Sequence, residues 1–324
     1  MVQQVSNGLS TTAVRKWIQA AVAAPSVYNT QPWQFHVHRD RIDVFADRSR
    51  RLDFIDPRGR ELMLSVGAAI LNLRVAILAS GRMALTTLLD GGLPDLAGRI
   101  TLGPPTMPSH TVRALAEAVS KRQTNRAPYA RTIIPVDVLE QLRAAAAAEG
   151  ADLSMLDPVR RNAVLALASD ALRLEEDPRY LDELAAWTAT SADRRDGVSP
   201  ATAAFRDESG RMPLRDFGAA FPPERIRPMP FEPHPQLAIL TTRGDGPRQW
   251  LRAGQALQRV LLTATVHSLS AQPLTQPLEV STLRQAIGRP DRDTFAHVLL
   301  RLGYGPPVGA VAPRRTIEDV LLIS

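Results

Sequence analysis

Three short segments carry side chains suited to holding a ligand. The first is Ala24-Pro25-Ser26-Val27-Tyr28-Asn29-Thr30-Gln31-Pro32-Trp33. Ser26, Asn29 and Gln31 offer hydrogen-bond donors and acceptors close together. A planar heteroaromatic ring with carbonyls and ring nitrogens needs that mixture, and Pro25 and Pro32 restrict the backbone that aims them. Read alone, the same residues also fit an Asx-type turn around a buried Trp33. The second segment is Arg122-Gln123-Thr124-Asn125-Arg126. In an extended chain Arg122, Thr124 and Arg126 share one side. Two guanidinium groups and a hydroxyl there suit a phosphate monoester, although a solvated basic loop has the same composition. The third is Leu302-Gly303-Tyr304-Gly305-Pro306-Pro307, followed by Pro313-Arg314-Arg315. Glycines such as Gly303 at a strand end let a ligand approach the backbone, and Arg314 or Arg315 offers a second clamp on a phosphate. A basic tail reads equally well from these residues alone.

Other chemistries find no support. The chain has no cysteine, which removes disulfides, thiolate metal sites and cysteine nucleophiles. His36 and His38 lie on one face of a strand-like stretch and make no metal signature. There is no P-loop and no G-x-G-x-x-G at a strand–helix turn. Gly-x-Ser-x-Gly is absent, and Ser154, Asp157 and His267 lack the spacing of a triad. The net charge of +6 comes almost wholly from arginine, since only Lys16 and Lys121 are lysines. The arginines are scattered and aromatics are only 5%, so no nucleic-acid surface is expected. The start MVQQVSNGLS has neither a basic head nor an apolar core, so no secretory signal is expected. The most apolar run, residues 62–79, contains Ser65, Asn72 and Arg74, which reads as a buried helix rather than a membrane span. The expected compartment is the cytoplasm.

The elements that must position these segments follow from periodicity. Helices are expected over 11–23, 61–81, 111–121, 135–149, 162–176, 179–188, 248–269 and 281–287. Strands are expected over 33–38, 42–46, 84–90, 99–102, 153–156, 237–241 and 295–302. Residues 191–235 are dense in Pro, Gly, Arg and Asp without clear period, and read as an inserted lid or loop. The two long apolar helices share a pattern. Gly67-Ala68-Ala69-Ile70-Leu71-Asn72-Leu73 and Gly254-Gln255-Ala256-Leu257-Gln258-Arg259-Val260 both follow G-x-A-[I/L]-x-x-[L/V]. Small residues permit close helix approach. The expected fold is α+β: two fused pseudo-repeats, 1–108 and 109–324, whose long helices pack together at the centre.

Taken together, the segments resemble the nitroreductase superfamily of FMN proteins, and in particular its Acg-like branch. Ala24-Pro25-Ser26-x-x-Asn29-x-Gln31-Pro32-Trp33 resembles the loop beneath the flavin ring. Arg122-x-Thr124-x-Arg126 resembles the arginine–hydroxyl–basic phosphate motif. The stretch from Leu302-Gly303-Tyr304 to Pro313-Arg314-Arg315 resembles the closing strand and second phosphate clamp. Asp47-Arg48, Asp56-Pro57-x-Gly59-Arg60-Glu61 and the Gly67-Ala68-Ala69 helix are similar to the Acg-like branch. In ordinary members two identical chains pair, and each flavin touches both. Here the ring loop stands in the first half and the phosphate motif in the second. Residues 11–21 hold no Arg-x-Ser/Thr-x-Arg, and 144–156 hold no Pro-Ser-x-x-Asn-x-Gln-Pro-Trp. One complete site per chain is therefore expected, between the halves.

The resemblance implies FMN as cofactor, its phosphate on Arg122, Thr124, Arg126 and Arg314 or Arg315. Pro25, Ser26, Val27, Asn29, Gln31 and Trp33 would form the ring side. A backbone N–H near Thr275 or Gln276 would approach flavin N5. The flavin carries the redox chemistry, and protons can come from water. The implied activity is NAD(P)H-dependent reduction of nitroaromatic or quinone-like acceptors. The alternative is FMN storage with little turnover, and a basic interaction protein without cofactor is a third class. The chain is expected to act as a monomer or homodimer, away from nucleic acid and membrane.

Overall fold

Two 20-residue helices, Arg60–Ala79 (α2) and Pro247–Val266 (α7), cross at the centre of the molecule. They touch where each carries its matched glycine. A Cβ on Gly67 would lie 2.2 Å from the carbonyl oxygen of Leu251, and one on Gly254 would lie 2.0 Å from that of Leu64. No side chain fits at either point, so the shared pattern is a packing requirement. By length and composition α2 could cross a membrane, but here nearly its whole surface is covered by protein.

The computed structural model describes residues 10–89, 92–171, 177–188, 193–199, 205–215, 217, 227–289, 293–309 and 311–322. The first half runs α1 (Thr11–Val22), β1 (Trp33–Val37), β2 (Arg41–Ala46), α2, β3 (Arg82–Leu88) and β4 (Leu96–Pro105). After α3 (His110–Lys121) the second half runs α4 (Val136–Ala147), β5 (Asp152–Met155), β8 (Gln236–Arg243), α7, β9 (Ser270–Leu274) and β10 (Thr294–Gly303). Between β5 and β8 lie α5 (Pro158–Ala171), α6 (Pro178–Ala186) and the parallel pair β6 (Phe205–Asp207) and β7 (Arg227–Met229). After β9 come two short helices, α8 (Gln276–Glu279) and α9 (Ser281–Ile287).

The two sheets repeat one topology. The first contains the order β1-β2-β4-β3 and the second β5-β8-β10-β9, with every one of these pairings antiparallel. Each sheet is covered by its own long helix. Trp33, Phe35, Ile42 and Val44 pack with Ile70 and Leu73, while Leu153, Leu240 and Leu300 pack with Leu257 and Val260. Helix α3 seals the back of the crossing through Leu115 and Val119 against Leu71, Val75 and Leu262.

The halves differ at two places. β1 and β2 are joined by a tight turn in which His38 N donates to Arg41 O at 2.9 Å. The equivalent connection in the second half holds α5, α6 and the β6–β7 pair. The chain beyond β10 also returns to the first sheet, where β11 (Leu321–Leu322) pairs parallel to β1, Phe35 opposite Leu321. The expectations and the fold part at the end of the long helix and at the last strand. The long helix ends at Val266 rather than 269, and Ser268, at φ 57°, turns the chain directly into β9. β11 is two residues long and leaves no periodic signal. Residues 172–176 of the helix expected over 162–176, and part of the 191–235 insert, lie outside the described residues.

Candidate functional site

The loop after α1 is built from an unusual backbone. Tyr28, Asn29 and Gln31 all have positive φ, at 46°, 54° and 50°. Each costs a non-glycine residue roughly 1–2 kcal/mol, and such strain persists only where surroundings over-determine it. Ser26 Oγ accepts from Gln31 N at 2.9 Å, and Ser65 Oγ on α2 accepts from Val27 N at 3.2 Å. Asn29 Nδ2 donates to the carbonyls of Pro313 at 3.0 Å and Gly197 at 3.1 Å. Gln31 Nε2 donates to Arg195 O at 2.9 Å, and its Oε1 accepts from Arg315 N at 2.8 Å. The side chains expected to read a ring therefore also stitch the loop to the insert and to the C-terminal segment.

The Arg122–Arg126 segment lies along the edge of the second sheet. Thr124 bridges Ala271 of β9, and Asn125 N donates to Ala271 O at 3.2 Å. Asn125 turns away from the cavity and donates to Ser270 Oγ at 3.0 Å and Pro306 O at 2.7 Å. That alternation aims Arg122, Thr124 and Arg126 the other way. Buried Arg301 braces the following turn, donating to Ala127 O at 3.0 Å and to Glu232 at 2.6 Å.

One cavity collects these pieces. Pro25, Ser26, Val27 and Asn29 line it from the first half, and Arg122, Thr124, Arg126, Gln276 and Arg314 from residues beyond. Four expected residues lie outside this lining. Gln31 is buried beneath the loop, Trp33 sits in the core at the head of β1, and Gly303 packs against the Tyr129 ring. Arg315 points to another face, bonding Gln31 O at 3.2 Å and Asp319 O at 2.5 Å. Of the two clamp arginines the structure brings Arg314 to the cavity. Ser154 and Asp157 stay apart in role: Ser154 is on β5, whereas Asp157 accepts from Val159 N and Arg160 N at 2.9 and 3.0 Å as an α5 cap. His267 bonds Gln141 at 2.9 Å.

Electrostatics divide the cavity. At one end burial, reinforced by the charge of Arg314, lowers Arg122 to about 9. Burial likewise lowers Arg126 and Arg314 to about 10. Arg122 Nε and Nη1 and Arg314 Nε are buried without a hydrogen-bond partner among the described residues. Among the described residues no carboxylate offsets the charge of Arg122 or Arg314. At the other end Arg215, from the insert, is ion-paired with Glu279, bonds Tyr28 Oη, and donates to Tyr180 Oη at 3.0 Å. Burial opposes its charge, yet Glu279 holds its pKa well above the usual arginine value. Glu61, on the first turn of α2, is 2% exposed and also lines the cavity. Tyr28 and Phe217 meet edge to face at 5.8 Å, and Phe205, Pro213 and Leu214 extend this apolar wall.

Arg215, Glu61 and Glu279 did not emerge as site residues from the sequence. Glu61 belongs to the Asp56-Pro57-x-Gly59-Arg60-Glu61 segment, whose local role is to start α2. Asp56 Oδ2 accepts from Leu62 N at 2.8 Å, and Gly59 takes φ 72°. Arg215 stands in an aperiodic stretch and carries no local signal.

The Nitroreductase family model matches residues 119–304. A Mycobacterium tuberculosis protein named "Putative NAD(P)H nitroreductase" is 31% identical over 318 residues, covering 95% of this chain and 90% of its own. The acg nitroreductase of the same organism, similarly named, is 29% identical over 326 residues and 96% of each chain. The crystal structure of the FMN and NADPH-dependent nitroreductase NfnB from sphigopyxis sp. strain HMH aligns at TM-score 0.41 and 17% identity, covering 65% of this chain and 98% of that one. With a family model spanning more than half its residues and a relative at 31% identity along nearly its whole length, the chain belongs to the Nitroreductase family.

Proposed function

We propose that the chain binds one FMN in the cavity between its halves and passes electrons from NAD(P)H to nitroaromatic or quinone-like acceptors. The observation that carries this reading is the set of bare N–H groups on buried Arg122 and Arg314, beside Arg126 and Thr124. A buried guanidinium without an acceptor is costly, and a phosphate monoester supplies the missing oxygens and charge. The residues present therefore fit the phosphate end of the nucleotide. Arg122, Thr124, Arg126 and Arg314 hold it. The Pro25–Asn29 loop supports the ring, with Gln31 and Arg315 fixing that loop from behind. Gln276 and its neighbours border the redox end. When bound, the flavin supplies hydride and electron transfer, and the protein orients it and excludes water. The relatives' names support NAD(P)H as the reductant. This reading assigns residues 1–108 and 109–324 to two nitroreductase-like halves, with residues 191–235 as a lid, acting as a monomer or homodimer in the cytoplasm.

One observation favours the second reading, FMN storage. Phe205, Pro213, Leu214, Arg215 and Phe217 all border the cavity, so the insert covers the space an acceptor would enter. Flavin extraction with stoichiometry tests the shared part, and one FMN per chain is expected. Anaerobic mixing with NADH or NADPH separates the two. Rapid bleaching supports turnover, whereas a flavin reduced only by dithionite supports storage. A colourless chain that takes up no FMN refutes both.

A further inference from the structure

Glu61, which lines the cavity, and nearby Glu279 each hold a carboxyl group in an incomplete arrangement. Glu61 Oε1 accepts from Arg60 Nη2 at 2.8 Å, while its Oε2 is buried with no partner among the described residues. Glu279 repeats this. Its Oε1 accepts from Thr275 Oγ1 at 3.0 Å and from Arg215, and its Oε2 is buried and bare. Carboxylate oxygens only accept hydrogen bonds, and a buried acceptor left bare is unfavourable. Two such oxygens on like-charged neighbours lack one thing that a single hydrogen supplies. It removes one negative charge and turns one bare oxygen into a donor.

We propose that Glu61, which lines the cavity, retains a proton and delivers it to the oxygen of a quinone-type acceptor. This rests on the FMN reading above. With FMN held in the cavity, the reduced cofactor would supply the hydride, two electrons and one hydrogen, and Glu61 would supply the second hydrogen as a proton to the acceptor's oxygen, giving the hydroquinone. Glu61 would then be a carboxylate that recovers its proton from water. This replaces bulk water as the proton source at the moment of transfer.

The surroundings agree with a retained proton. Burial, then the charge of Glu279, push Glu61 up to about 8, with Asp56 adding to them and Arg60 and Arg215 opposing. The neighbouring cations also have other partners. Arg284 bonds Asp245 at 2.6 Å, and Arg60 Nη1 donates to His297 O at 2.9 Å. Burial together with the charges of Arg60 and Arg284 keeps the His297 ring neutral. Glu61 is thus buried beside a second acid while still bordering the cavity.

The test uses FMN-loaded chain, photoreduced without oxygen and mixed with benzoquinone or ferricyanide. Benzoquinone needs a proton and ferricyanide takes only electrons. In the wild type the benzoquinone rate should fall above pH 8, where Glu61 loses its proton. Glu61→Gln should slow benzoquinone about a hundredfold and abolish that limb, leaving ferricyanide unchanged. Glu279→Gln removes the like charge and should move the limb to lower pH. An infrared titration of the flavin-free chain should show a neutral carboxyl band lost near pH 8 and missing in Glu61→Gln. Equal slowing of both acceptors, an unmoved limb in Glu279→Gln, or a band that persists in Glu61→Gln overturns the proposal. A chain that takes up no FMN but keeps the titrating band refutes the FMN reading and proton delivery to an acceptor, leaving only the protonated Glu61 standing.

Discussion

Replacing Arg122 with methionine should stabilise the flavin-free chain and weaken FMN binding together. Arg122 is 4% exposed, and burial lowers its pKa from the ordinary arginine value to about 9. At 1.36 kcal/mol per pH unit that gap corresponds to at most roughly 5 kcal/mol of unfavourable charge burial. Both the folded and the unfolded chain carry this charge at neutral pH, so the full cost bears on folding there. Methionine keeps much of the apolar stem and adds no charge, so a gain of a few kcal/mol is expected in the absence of ligand. With FMN bound the gain shrinks, because a charge-assisted bond to phosphate contributes about 1.5–3 kcal/mol. Its loss weakens affinity ten- to over a hundredfold by the usual conversion. Paired denaturation curves with and without saturating FMN read the first effect, and quenching of FMN fluorescence reads the second. A variant that is less stable without flavin and binds FMN as tightly as the wild type would refute the reasoning, since Arg122 would then be part of the scaffold.

Arg314→Ala should reduce FMN affinity more than Arg315→Ala, because only Arg314 lines the cavity; equal losses by fluorescence titration would place the clamp elsewhere. Gly254→Ala puts a methyl 2.0 Å from the Leu64 carbonyl, and overpacking against backbone should cost about 3 kcal/mol or more in urea denaturation. Buried His297 is held down to about 3, mainly by burial. Below pH 6.5 the unfolded chain binds a proton that the folded chain refuses, so stability is complete above that pH and drains as pH falls toward 3. Between pH 6.5 and 4.5 this one ring should account for roughly 3 kcal/mol, and His297→Gln should flatten that part of a stability–pH profile.

Much of the frame was legible because it is local or periodic. The helices and most strands repeat every 3.6 or 2 residues, and the Gly67 and Gly254 patterns correctly marked the helix crossing. The order of the ring loop and the phosphate segment also led to the cavity that Ser26, Asn29, Arg122 and Arg126 line together. What escaped was non-local. β9 follows α7 after a short turn at Ser268, so its pattern merges with the helix. The Arg215–Glu279 pair joins residues with no shared periodic element. The chemistry of Asn29 and Gln31 fits a ring or a turn, and their carboxamides bond the insert and the C-terminal segment, contacts that no local pattern foretells. No composition or spacing encodes which polar group is nearest once the chain has closed.

The repeated strand order has a consequence for how such a chain can change. In a pair of identical subunits related by a two-fold axis, every substitution appears twice and on both sides of the interface. Joined end to end, the halves lose that constraint. A connection can lengthen between β5 and β8 while its counterpart stays a tight turn between β1 and β2. The strand β11, crossing back to β1, then fastens the later half to the earlier one. Inheritance can thus treat as separate letters what symmetry would have forced to be copies.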